Sequence, residues 1–386
     1  MRSWVFVAAL LSVSYFAEGS ARACGAVVTD EKSVVVQAQQ RVLISLRADG
    51  SSKIVVQLGI PEASAPFGAI TPVGGQPTLD PEPVDAEELD GLERTTRPTV
   101  RAESAASDSG GCGCGSADAA GDGKGLGNGG VNVIQIVDIG PVTAAALAAD
   151  TTAALTQWLG DNGFVVPAAD QPVIDSYVGP NKFFIAFKRS SQAAAGPSSV
   201  GVSFSVPGDQ RGYPLRISRV GAGSRLGIQV FVAAPEVISP TGSAPAGNFQ
   251  TLTLADFSAQ ALYDDYTGTL FSGIAQKGGK AFVVEGVFAA NSGWRGQLGP
   301  KLIAITESGQ VLSRLATVVA PAQLTEDVSF TGNAPKDVPR DVMALWLPLG
   351  GPGRGEQHRD LYLAVCGLGL VAWSLRRSLR PATAPS

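Results

Sequence analysis

Short β-branched runs recur along most of the chain, separated by glycine, proline and aspartate. Residues 33–38 (SVVVQA), 41–48 (RVLISLRA) and 53–60 (KIVVQLGI) read as strands, with Asp49-Gly50 as a hairpin turn between the second and third. Prolines between Pro61 and Pro83 break this pattern, and residues 84–93 (VDAEELDGLE) then read as a short helix with a solvated acidic face. Strands follow at 131–137, 182–188, 200–206 and 226–233, the last alternating with period two. Between them, Asp150 as N-cap, TTAALTQWL and Gly160 as stop predict a helix that buries Leu155, Trp158 and Leu159. Residues 252–275 have helical spacing, and 281–288 and 302–306 return to strand. No strand–helix unit repeats. The expected class is therefore α+β, a strand-rich mixed or antiparallel sheet domain with a few helices.

The two ends carry longer apolar runs of a different kind. Arg2, the stretch 4–17 (WVFVAALLSVSYFA) and the A-x-A pattern of Ala21 and Ala23 predict a signal peptide over 1–23, cleaved to leave Cys24 first. Ala21 and Arg22 depart from the pattern for lipid attachment to Cys24, so ordinary export is expected, with a lipidated Cys24 as the alternative. Residues 361–375 (LYLAVCGLGLVAWSL) present Leu361, Leu363, Val365, Leu368, Leu370, Trp373 and Leu375, and are followed by Arg376, Arg377 and Arg380. At about 1.5 Å per residue this run spans roughly 22 Å, short of a bilayer core of about 30 Å, so snorkelling flanks or thinned lipid are needed. It is expected to be a membrane anchor with its arginines, and the tail 376–386, in the cytoplasm. The main domain would then lie in the periplasm or on the cell surface. A short helix closed by arginines also resembles the sorting tails of bacterial surface proteins, which are cut and replaced.

Between the ends, an exported domain is expected over 24–335, interrupted by a Gly-rich loop at 102–130 that is too poor in large apolar residues to join a core. A linker at 336–360 follows. Within it, residues 341–349 suit either contact with the membrane surface or a last core strand. Hydrophobic residues at 45% are ample for a core, whereas 16% charged residues and a net charge of −5 give no basic surface for nucleic acid.

Several stretches resemble a bacterial family of exported proteins catalogued as domain of unknown function 2330. They are Ala23-Cys24-Gly25, residues 155–164 (LTQWLGDNGF), 173–178 (VIDSYV), 182–188 (KFFIAFK), 213–217 (YPLRI), 312–317 (LSRLAT) and 324–327 (LTED), in that order. The resemblance spans roughly residues 23–330. It implies one exported unit and brings no activity with it. Residues 60–73 lack the tryptophan-containing strand that the resemblance leads one to expect there.

Candidate chemistry is thin. The one histidine, His358, falls in the linker, so a nucleophile–histidine hydrolase and a His-based zinc site have no base or ligand in the domain. A carboxylate-only hydrolase would draw on Asp264-Asp265 of 263–266 (YDDY) and on Glu285. The adjacent aspartates are expected on the surface of a helix and Glu285 is expected to face solvent. The glycines of 121–130 precede a strand instead of following one, the reverse of a dinucleotide cradle, and Asp118, Asp122 and Asn128 match no calcium-loop spacing. No cofactor is expected. For the exported cysteines three readings remain: a disulfide from Cys24 to Cys112 or Cys114, unpaired thiols in the loop, or a thiol or metal module built from all three. The expectation is an interaction or structural module of the bacterial envelope, held at the membrane, with an unknown envelope protein or ligand as partner. It is expected to be non-enzymatic, with a histidine-independent carboxylate hydrolase as the alternative.

Overall fold

The structure is a computed structural model, which describes residues 20–22, 26–28, 36–60, 68–102, 131–189, 198–242, 249–332, 338 and 341–344. Cys24, Cys112 and Cys114, the Gly-rich stretch 103–130, the anchor residues Leu361, Leu363, Val365, Leu368, Leu370, Trp373 and Leu375, and Arg376, Arg377 and Arg380 lie outside the described residues. Among the described residues no helix is long and apolar enough to cross a membrane.

Two short strands, β1 (Ser20–Arg22) and β2 (Ala26–Val28), precede a long hairpin, β3 (Val36–Leu46) and β4 (Ser52–Ile60). The Asp49-Gly50 turn forms as expected. Gly50 takes the left-handed φ of 80° that side chains disfavour, and the Asp49 carboxylate accepts from the Ser51 amide at 2.8 Å. β1 lies on the signal side of the expected cut, yet it pairs in parallel with β3. Cleavage after Ala23 and retention of this pairing are therefore mutually exclusive.

Strands β5 (Gly68–Val73), β6 (Thr78–Leu79) and β7 (Val84–Asp85) lead into helix α1 (Ala86–Thr96) and strand β8 (Thr99–Ala102). After the glycine-rich stretch come β9 (Asn132–Ile139) and β10 (Val142–Ala148), then α2 (Thr152–Asp161) and α3 (Gln171–Asp175). Both expected caps of α2 shift. Thr151, not Asp150, accepts from the Ala154 amide at 3.2 Å. Gly160 stays helical, and it is Gly163, at φ 86°, that turns the chain out. The buried face is as expected: Leu155, Trp158 and Leu159 are in the core.

The second half contains β11 (Phe183–Arg189), β12 (Ser198–Val206), β13 (Gly212–Tyr213), β14 (Ala222–Ala234), β15 (Ser239–Gly242) and β16 (Gln250–Thr253). Helices α4 (Ala259–Asp264) and α5 (Tyr266–Ala275) and strand β17 (Ala281–Phe288) follow. The strand expected at 302–306 is instead helix α6 (Pro300–Ile305). Pro300 presets its first turn, and the Glu88 carboxylate, reaching over from α1, accepts from the Leu302 amide at 3.0 Å, a cap that local spacing does not reveal. The chain closes with β18 (Val311–Val319), β19 (Val328–Thr331) and β20 (Asp341–Ala344). β20 pairs in parallel with β8, so within the stretch expected as a linker residues 341–344 form a strand, in keeping with one of the two readings of 341–349.

A ten-stranded mixed sheet runs β16-β17-β18-β14-β3-β4-β12-β6, with β1 on β3 and β7 on β12, and a five-stranded antiparallel sheet runs β2-β5-β11-β10-β9. Period-two alternation places the layers. Val42 and Ile44 of β3 and Val230 and Val232 of β14 meet Ile185 and Phe187 of β11 in a core between the two sheets. Leu43, Val55 and Phe231 point the other way, onto α1 and α6. Phe184 and Ala186 face a third cluster built around Trp158 of α2. The strand-rich α+β expectation holds.

Candidate functional site

Two polar clusters, each centred on an arginine, interrupt the apolar interior. The first lines a cavity of about 480 Å³ between the ten-stranded sheet, the end of α1 and the pair α4–α5. Arg314, on β18, is 3% exposed and lies opposite Phe231 of β14, with its guanidinium carbon 5.4 Å from that ring's centre. Its Nε donates to Glu285 Oε2 at 2.7 Å, and Nη1 and Nη2 donate to the two carboxylate oxygens of Glu93 at 2.8 and 3.0 Å. Thr96 Oγ1 and Gln229 Oε1 accept from Nη1 and Nη2 at 3.0 and 3.1 Å. Every one of the five guanidinium N–H groups thus has an acceptor. Glu285 Oε1 in turn accepts from the Tyr266 hydroxyl at 2.5 Å. Burial, with the Glu285 charge adding to it, pushes the Tyr266 pKa up, so Tyr266 is a neutral donor. Burial alone would lower the Arg314 pKa, but Glu285 and Glu93 more than offset it and leave it raised.

The expectation that Glu285 faces solvent is overturned: it is 1% exposed. The cause is a β-bulge. Val284 pairs with Leu315 and Gly286 with Arg314, so Glu285 is an extra residue in the ladder and is re-aimed at the guanidinium. Strict alternation conceals this, although the Glu-Gly pair inside an apolar strand was a usable hint. Asp264 and Asp265 are exposed, as expected, and Asp265 caps α5 by accepting from the Gly268 amide at 2.9 Å. They are not brought together with Glu285; the residue of that stretch that reaches it is Tyr266. Sequence spacing does not mark Glu93 and Arg314 as site residues, because their pairing joins positions 221 residues apart.

The second cluster lines a cleft of about 290 Å³ where β5 and β11 approach the strands β13 and β19. Tyr177, just past α3, donates to Asp327 Oδ1 at 2.5 Å, and the same oxygen accepts from the Arg216 amide at 2.9 Å. Burial and then Asp327 push the Tyr177 pKa up, which keeps its hydroxyl protonated. The Arg216 guanidinium lies 5.2 Å from the centre of the Tyr177 ring and donates through Nη2 to Ser176 Oγ. Its Nε is enclosed yet has no acceptor. Lys182, Gln210 and Ser329 add to the polar lining. Four of the stretches that carry the family resemblance, 173–178, 182–188, 213–217 and 324–327, each supply a residue here, namely Tyr177, Lys182, Arg216 and Asp327.

Among the described residues no group of three or more His, Cys, Asp or Glu side chains is arranged to hold a metal ion. A family model described as "Uncharacterized protein conserved in bacteria (DUF2330)" matches residues 18–331. No curated protein and no solved structure matches the chain.

Proposed function

The chain belongs to this bacterial family, DUF2330, and from that premise we propose an exported, membrane-tethered envelope module that binds its ligand without transforming it. The observation that carries the reading is the closed state of the Glu93–Arg314–Glu285 network. A two-carboxylate hydrolase needs one carboxyl holding a proton to donate and another free to attack or to activate water. Here both carboxylates are spent on one guanidinium, and Glu285 also accepts from a neutral phenol. What remains open is the cavity above them, walled by Val100, Ile228, Leu262, Leu270 and Val318, with Arg97 at its exposed rim. That combination suits a small ligand with an apolar body and a polar end. Export and tethering rest on 1–23 and on 361–375 with its arginines, and the net charge of −5 argues against nucleic acid as partner. No cofactor enters this reading.

The test uses the full chain in lipid nanodiscs and a fluorescent apolar anion, 1-anilinonaphthalene-8-sulfonate. Saturable binding that falls at least about tenfold in Thr267→Trp, a substitution on the exposed cavity rim, is expected. Equal binding by both proteins, or turnover of ester or glycoside substrates abolished by Glu285→Gln, would overturn the reading.

A further inference from the structure

We infer that the cleft around Arg216 is a binding site for a carboxylate carried on a small apolar body. The warrant is an unmatched guanidinium. Among the described residues, three buried side-chain atoms lack a hydrogen-bond partner, Trp158 Nε1, Thr331 Oγ1 and Arg216 Nε, and only the last belongs to a charged group. Enclosing a guanidinium N–H that has no acceptor is unfavourable, and no group among the described residues accepts from this one. The Asp327 carboxylate sits close by, its Oδ1 accepting from the Tyr177 hydroxyl and from the backbone amide of Arg216. These bonds hold the ring on which Arg216 stacks.

The charge count sets the ligand's charge. Arg216 and Lys182 against Asp327 leave an excess of one positive charge in the cleft, which a monoanion neutralises and a dianion oversteps. Lys182 is exposed and lines the same cleft. A planar guanidinium and a nearby ammonium match the two oxygens of a carboxylate. Pro72, Val73, Phe183, Pro214 and Val328 give the cleft apolar walls, which suit a small apolar body attached to the carboxylate. A short organic acid and the free C-terminus of a peptide share this chemistry.

The experiment titrates the full chain in nanodiscs with butyrate, with N-acetyl-dialanine, with the C-terminal amide of that peptide and with inorganic phosphate, following binding by calorimetry. At least one free acid is expected to bind saturably. The amide should bind at least about tenfold more weakly, because a charge-assisted pair is lost. Arg216→Gln should weaken acid binding at least about tenfold and Lys182→Gln severalfold, with the Lys182→Gln melting temperature unchanged. Butyrate binding as well as the peptide identifies a small acid; a clear advantage for the peptide identifies a chain terminus. Should Arg216→Gln not fold, Lys182→Gln and the amide decide. Equal affinity for acid and amide, indifference to Lys182→Gln, or tighter binding of phosphate with the same variant sensitivity would overturn the inference.

Discussion

Arg314 and Arg216 are both drawn into the protein beside an aromatic ring and a carboxylate, yet they differ in how completely they are used. Arg314 spends all five N–H groups on Glu285, Glu93, Thr96 and Gln229, tying β18, β17, α1 and β14 together. Arg216 spends one on Ser176, stacks on Tyr177 and leaves Nε without an acceptor. Saturation marks the first as part of the fold's framework. Incompleteness marks the second as a place where something else completes the set.

The sharpest way to break this contrast is to remove each arginine in turn. Arg314→Ala strands two carboxylates in a buried site, and a loss of about 3–5 kcal/mol in urea unfolding is expected. Replacing Arg216 with glutamine leaves both hydrogen bonds to Asp327 Oδ1 in place, and a change within about 1 kcal/mol is expected by the same measurement. Equal losses would erase the distinction. Next in size, Tyr266→Phe leaves a Glu285 lone pair unsatisfied and should cost about 1–3 kcal/mol. The same substitution at Tyr177 sharpens the comparison, because it removes one donor from Asp327 and should weaken the cleft's preference for an anion.

Both phenols also predict a common pH dependence. Their folded pKa values lie above the ordinary value of 10.0, so the fold holds protons that the unfolded chain releases. The contribution is complete below about pH 10 and is lost as pH rises beyond it. Absorbance at about 295 nm should show Tyr177 and Tyr266 ionising only with alkaline unfolding. The smallest effect concerns Asp170, whose pKa is raised by burial, with Arg219 partly opposing. Its raised pKa means that stability is highest at acid pH and falls as pH rises through it, so Asp170→Asn should raise the melting temperature slightly at neutral pH and not below about pH 4.

Most of the strand framework was legible because β-branched runs with period two dictate half-buried or doubly buried strands. β10 was not, since its alanines have weak strand preference and it is held by β9 and β11 on either side. The helix at 300–305 was misread because LIAIT has strand composition, and the deciding contact comes from Glu88 in a distant segment. The site was less legible than the fold. The carboxylate that matters, Glu285, was named but placed on the wrong face, because one extra residue in β17 inverts the alternation that a sequence displays. The Arg216 cleft assembles from four separated stretches, each of which reads alone as an ordinary strand or turn.

The central claim is that one arginine is closed and the other open, and the Nε–H signals of both in a nitrogen–proton NMR spectrum of the full chain read it directly. Addition of N-acetyl-dialanine should shift the Arg216 Nε–H signal in a saturable way and leave Arg314, protected by Glu285, in place. A shift at Arg314, or none at Arg216 when acid is bound, would contradict the account.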